Sequence, residues 1–167
     1  MSDHYVMHIQ SSLTLDRAER MIDGALAAAR AAELLPLTVA VLDSGGHLVA
    51  FKREDGCGVL RFDIAFGKAW GALGMGISSR TIRDRLGNRP AFQGALAAAS
   101  GGRFVPVPGG VLAVEGERTG ERIVVGAIGI SGDASDRDEY AAIMGVRAAG
   151  LISHPEEPAE NWRAAGL

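Results

Sequence analysis

Hydrophobic and polar positions recur along this chain with two different periods, and the switches between them lay out its elements. Leu15, Ala18, Ile22, Ala25, Leu26 and Ala29 fall three and four residues apart, which predicts an amphipathic helix that stops before Pro36. Asp16, Arg17, Glu19, Arg20 and Asp23 mark its wet side. Leu37 to Asp43 is an apolar run rich in Val and Leu, hence an inner strand. Asp43-Ser44-Gly45-Gly46 turns the chain, and His47 to Arg53 returns as the hairpin partner. Period two then sets His47, Val49, Phe51 and Arg53 on one face.

Helical spacing resumes from Arg61 to Met75, with Phe62, Ala65, Ala69, Ala72 and Leu73 toward the core. Ser78 or Ser79 can cap a short helix ending at Gly87, and Pro90 suits the start of another that runs to about Ala99. Val111 to Val114 reads as a strand, and residues 115 to 120 as a turn. Ile123 to Ile130 is apolar on both alternating faces, as in a strand buried on both sides. Its Gly126 and Gly129 imply close approach of another backbone or a ligand. After the turn Ser131-Gly132-Asp133, the spacing Ser135-x-x-Asp138 has the form of a capping box, opening a helix to about Leu151. Ala141, Met144, Ala148 and Leu151 fall on one face of it. The order predicts an α+β fold, a central antiparallel sheet flanked by helices. The 167 residues suit a single domain, with residues 1–12 as an arm and 152–167 as a tail. Trp162 in that tail is expected to dock on this subunit or another.

Composition sharpens this picture. The chain is 47% hydrophobic but only 5% aromatic, so alanine and glycine supply much of the apolar surface and elements must approach closely. A net charge of -3 argues against a nucleic-acid or anionic-membrane partner. No basic stretch followed by an apolar run opens the chain, and no segment reaches about twenty uninterrupted apolar residues, so a cytoplasmic protein is expected. The single cysteine, Cys57, excludes an internal disulfide and suits a reducing compartment. It stands between two glycines with no evident base partner, as a free thiol or a nucleophile.

Candidate chemistry gathers at the corner after the last long strand. Asp133, Asp136, Asp138 and Glu139 exceed what capping needs and would repel a phosphate. They read either as caps and solvated charges or as a receiver for a cation, an arginine or a hydroxyl donor. Lys68 lies among small and apolar neighbours on its helix, so it either snorkels to solvent or has a buried partner. Arg80, Arg83, Arg85, Arg89 and Arg103 could hold a carboxylate, and Arg80 and Asp84 are spaced to pair on their helix. In Ser100 to Gly110, stiffened by proline and glycine, Phe104, Val105 and Val107 could wall a pocket or meet a neighbouring subunit. His4 and His8 lie at helical spacing in the arm, as metal ligands or within a mobile terminus.

Five stretches together carry a resemblance. They are Leu13-Thr14-Leu15, AVLDSGGHLVAFKRED at 40–55, DIAFGKAW at 63–70, PVPGGVLAV at 106–114 and GAIGISGDASDRDE at 126–139. In this order the chain resembles the GlcG/HbpS family of haem-binding or haem-degrading domains, which includes the C-terminal domain of PduO-type proteins. The resemblance covers roughly residues 12–151. It implies a profilin- or PAS-like sheet, assembly as a homo-oligomer, and haem binding through a histidine. The first helix, where the PduO-type domain supplies its haem histidine, has none between Leu13 and Leu35. On the haem reading, His47 or an N-terminal histidine could be the axial ligand.

Three functions remain open on these residues. The first is a small-molecule-binding protein for haem or a related tetrapyrrole, with arginines for the propionates and Phe104 to Val107 as the apolar slot. The second is an enzyme acting on a small carboxylated metabolite. It would use Lys68, His47 and Glu139 as acid/base groups, and Arg53, Asp55, Asp133 and Asp138 as ligand-binding groups, beside the loop residues Phe104, Pro106, Gly109 and Gly110. The third is a structural accessory subunit. No metal site is assigned beyond the acidic corner's capacity for a cation and the spacing of His4 and His8.

Overall fold

A computed structural model describes residues 6–116 and 121–167. His4 and most of the expected turn at 115–120 fall outside the described residues. The elements are α1 (Leu15–Ala31), β1 (Thr38–Asp43), β2 (Leu48–Arg53), α2 (Arg61–Met75), α3 (Ser79–Leu86), α4 (Pro90–Ala99), β3 (Gly110–Glu115), β4 (Ile123–Ser131), α5 (Ser135–Ala148) and β5 (Ile152–His154). The strands form one antiparallel sheet in the order β2-β1-β4-β3-β5. The fold is therefore α+β, with a central sheet covered by helices on both faces.

Sequence period decides which face each helix covers. Val39 and Val41 of β1 join Val111, Ile128 and Ile130 in a core closed by Met21, Ile22 and Ala25 of α1 and Ile143 and Val146 of α5. The alternate positions Leu42, Leu112 and Ala127 meet Ala69 and Ala72 of α2 on the other side. Glycine makes that second face shallow. A Cβ on Gly129 would collide with the Ala65 carbonyl, and one on Gly110 with the Lys68 carbonyl. The expected close approach at Gly129 of β4 is thus helix α2 lying directly on the strand, whereas Gly126 meets the carbonyl of Leu42 on the neighbouring strand.

Three local expectations change. The ladder between β1 and β2 shifts register at Val41/Leu42. A bulge breaks the two-residue alternation, so Val49 and Ala50 both pack toward α1 and α5, while Phe51 turns to Phe62 of α2 with ring centroids 5.0 Å apart. The capping box does not form as written: Ala134 is the N-cap of α5 and no side chain caps it. Instead Asp138 reaches back to the Asp133 amide, as described below. The buried side of α5 carries Ala141, Ala142, Ile143, Gly145 and Val146, while Met144 is half-buried and Ala148 exposed. Residues 152–154 of the tail add the edge strand β5, and Trp162 stacks on Tyr140 at 3.7 Å, docking on its own chain.

Candidate functional site

Two places in this fold gather chemistry, and they lie at opposite ends of the sheet. The first is the corner where β4 ends and α5 begins. Lys68, on the third turn of α2, is 1% exposed. Its Nζ donates to Asp138 Oδ2 at 2.9 Å and to the Ile130 carbonyl at 2.9 Å. Asp138 Oδ1 accepts from the Asp133 amide at 3.0 Å. Gly109, at φ +121°, closes the third side: a Cβ there would stand 2.9 Å from Lys68 Nζ and 2.8 Å from the Ile130 carbonyl. Burial penalises both charges. It lowers the Lys68 ammonium and pushes the Asp138 carboxyl up to about 6, against the attraction of the two for each other.

Glu139, the next residue, points toward α3. Its side chain is fully buried, with Arg80 Nη1 3.3 Å from Oε1. Neither oxygen accepts a well-aligned hydrogen bond among the described residues. Burial, partly offset by the Arg80 guanidinium, pushes the Glu139 carboxyl up to about 7. Arg80 also donates to the Glu157 carbonyl at 2.9 Å, so it ties α5 to the C-terminal segment. Asp136 meets Arg83 at 3.6 Å, and Arg83 rather than Arg80 pairs with Asp84. Asp133 is held differently. Burial would raise its carboxyl, but the amides of Leu35 and Ala134 and the Arg137 guanidinium outweigh that and lower it. The four acids of the corner are therefore each met by cations or amides of this same chain. Among the described residues, no group of three or more His, Cys, Asp and Glu side chains is placed to hold a metal ion.

Other sequence candidates lie elsewhere. Arg53 and Asp55 are exposed at the outer edge of the sheet, beside Arg30, Pro36 and Glu54. Arg53 is registered opposite Thr38, which is itself opposite Ser131, so a whole strand separates it from the end of β4. Cys57 is half-buried near that rim, where Thr38 Oγ1 donates to its Sγ at 3.0 Å. His47 sits at the far end. Thr38 marks the corner end of β1 and Asp43 the hairpin end, roughly 17 Å away along six strand residues. The grouping of His47 with Lys68 and Glu139 is thus not found in the structure.

At that hairpin end lies the second place. His47 is 81% exposed and its Nδ1 stands 3.3 Å from Asp43 Oδ1. That carboxylate stands beside Nδ1, and Nε2 makes no hydrogen bond among the described residues. The preceding residue, Gly46, packs on the indole of α2: a Cβ there would stand 3.1 Å from Trp70 Nε1. Trp70 in turn walls an open apolar groove of about 160 Å³, with Gly71, Gly74, Met75, Leu96 and Phe104. The Arg103 guanidinium lies 4.5 Å over the Trp70 ring. Phe104 is 8% exposed and lines this groove from the glycine- and proline-rich loop, whereas Val105 packs on Gly67. Pro106 is half-buried, and Gly109 and Gly110 face Lys68 instead. Sequence reading missed Trp70 as a groove residue. The signal was present in its place inside DIAFGKAW, but helical spacing alone did not say that α4 leaves this end of α2 uncovered.

Comparison with known proteins settles the family. A family model described as "Haem degrading protein HbpS-like" matches residues 13–147, most of the chain. The chain belongs to the HbpS-like family. Several solved structures share its fold. PduOC, in a complex with haem, is 24% identical at a TM-score of 0.72, covering 85% of this chain and 98% of its own. A Klebsiella pneumoniae protein, ORFY, is 23% identical at 0.73, covering 90% and 98%. A double mutant of HbpS from Streptomyces reticuli is 26% identical at 0.66, covering 85% and 89%. No curated protein sequence matches the chain.

Proposed function

We propose that this member of the HbpS-like family binds haem or a related tetrapyrrole at the groove between α2 and α4. The observation that carries this reading is the meeting of three features at one end of the molecule. An exposed imidazole stands beside a carboxylate, the glycine before it packs on Trp70 of an apolar groove, and an arginine lies over that same ring. A haem site asks for an axial ligand, an apolar slot and basic groups for propionates. The Trp70–Phe104 groove and Arg103 fit the last two; His47 does not line the groove but follows Gly46, which packs on Trp70, and is the imidazole offered for the first. Haem, when bound, would supply the iron and its redox chemistry; Asp43 would steady the His47 ring, Trp70 and Phe104 would exclude water, and Arg103 would meet the carboxylates. That haem accompanies the related PduOC supports the same ligand class here.

The groove holds about 160 Å³, less than the ~300–1,000 Å³ of a typical ligand pocket. One chain therefore covers part of a flat macrocycle, which is consistent with a homo-oligomer supplying further cover. The acid/base alternative has less support, because Lys68 and Asp138 are closed to any substrate and Arg53 stands at another edge. Haemin titration tests the proposal. Wild type should give a saturable Soret shift, His47→Ala should abolish it, and Trp70→Ala should weaken it about tenfold or more. Unchanged binding by both variants would remove this groove as the site.

A further inference from the structure

We infer that the thioether of Met75 is the iron ligand that the groove itself supplies. This rests on the haem reading above and adds a donor atom to it. The groove's lining holds few atoms able to bind a metal. Trp70 offers only an N–H, which donates and does not ligate. The Ser100 hydroxyl is already engaged: it donates to the Ala97 carbonyl at 2.9 Å and accepts from the Phe104 amide at 3.1 Å. Met75 remains, and the other lining side chains are hydrocarbon or hydrogen. It is the last residue of α2 and is 36% exposed. A thioether is a soft, uncharged ligand, and methionine is one of the side chains that hold haem iron axially.

The two ends of the groove differ in charge. The Arg103 guanidinium lies over Trp70 at one end, 4.5 Å from the ring centroid. Met75 stands further along α2, about 7.5 Å of helix away. No basic residue stands in that last turn of α2. A tetrapyrrole with its acidic edge toward Arg103 therefore carries its metal toward the sulfur, where no cation of the turn opposes it.

The floor between these ends is bare backbone. A Cβ on Gly74 would rest 3.8 Å from Trp70 Cζ3, an ordinary contact, so no clash demands glycine there. Its missing side chain leaves open the space between Trp70 and Met75, where a flat ring can lie. His47 stands outside the lining, beyond Gly46, so ligation by Met75 does not depend on it. A thioether ligand raises the reduction potential of haem, so this site should favour reduced iron over oxidised.

Met75→Leu tests this, because it keeps volume and apolarity and removes the sulfur. The full chain is titrated with haemin, with dithionite-reduced haem and with metal-free protoporphyrin, read by absorption, and the midpoint potential of the haem complex is measured. The metal-free ring should bind wild type and Met75→Leu alike. Reduced haem should lose about tenfold in affinity relative to oxidised haem in the variant, which is a fall of about 59 mV in a one-electron midpoint potential. Met75→His restores a donor and should recover affinity with a shifted Soret maximum. Haem that binds wild type and Met75→Leu with the same affinity, spectrum and potential overturns the ligand, while the groove, judged by Trp70→Ala, stands. A metal-free ring that Met75→Leu weakens as much as haem also overturns it, because Met75 then supplies packing and not ligation. Failure of wild type to bind any of the three rings removes the groove reading and the ligand together.

Discussion

Lys68 is among the largest of the fully buried side chains, and a lone ammonium there would be prohibitive. Three groups make it tolerable: Asp138, the Ile130 carbonyl, and the Asp133 amide that anchors the carboxylate from behind. Removing one partner leaves the other charge buried and uncompensated, which costs about 3–5 kcal/mol. Lys68→Ala should therefore lower the denaturation midpoint severely. Lys68→Met/Asp138→Asn keeps an acceptor for the Asp133 amide and removes both charges, so it should recover most of that loss. Equal destabilisation in the single and double variants, measured by chemical denaturation, would show that the charges do not depend on each other. The sequence marked Lys68 as either snorkelling or partnered, because its helical neighbours are small. It could not decide between these, since the partner lies seventy residues on and only tertiary packing joins them. The same limit hid His47. Period two tied it to Arg53, but a one-residue bulge in β2 broke that alternation.

Elements were far more legible than their contacts. The bounds of α2, α3 and α4 and the two hairpins follow from period, proline and serine caps, all of which are local signals. Strand β5 was not legible, because three residues carry no period and owe their conformation to pairing with β3. The capping box of α5 misled for a related reason: Asp138 is drawn inward by Lys68, and its free oxygen takes the Asp133 amide rather than serving a cap around Ser135. The glycines of β4 were legible as points of close approach, and the structure gives them a mechanical meaning. Gly129 lets the α2 backbone lie on the sheet, with the Ala65 carbonyl where a Cβ would go. Gly129→Ala must push α2 outward, and α2 carries both Lys68 and Trp70. Overpacking of this kind costs about 1–3 kcal/mol. The thermal midpoint should fall, and haemin affinity should fall with it because Trp70 moves. Gly126→Ala also meets backbone, at the Leu42 carbonyl, but away from α2. It should lower stability while sparing affinity for the protein that remains folded.

At the scale of the whole molecule, the buried acids link stability to pH. Glu139 is pushed from its ordinary 4.5 to about 7, and Asp138 from 3.8 to about 6. An acid whose pKa is higher in the folded state binds its proton more tightly there. The stability it contributes is complete below the unfolded value and is lost as pH rises through the folded one. Both groups therefore lower stability between about pH 5 and 7.5, each by up to about 1.4 kcal/mol per pH unit where it titrates. Asp133 acts in the opposite sense, but its lowered value places its window below 3.8 and outside that range. The groups facing Glu139 are Arg80 and Arg83, which hold it down, and Asp136 and Asp84, which push it up. Glu139→Gln removes the upper part of this dependence and leaves an amide beside Arg80. Denaturant midpoints taken from pH 5 to 8 should fall with rising pH in wild type and flatten above pH 6 in Glu139→Gln. The variant should be the more stable of the two at pH 8 and lose that advantage by pH 5, where the wild-type carboxyl is largely protonated. Parallel curves for the two proteins would mean that Arg80 already compensates the Glu139 charge in full, and that the corner between α3 and α5 stays ionised throughout this range.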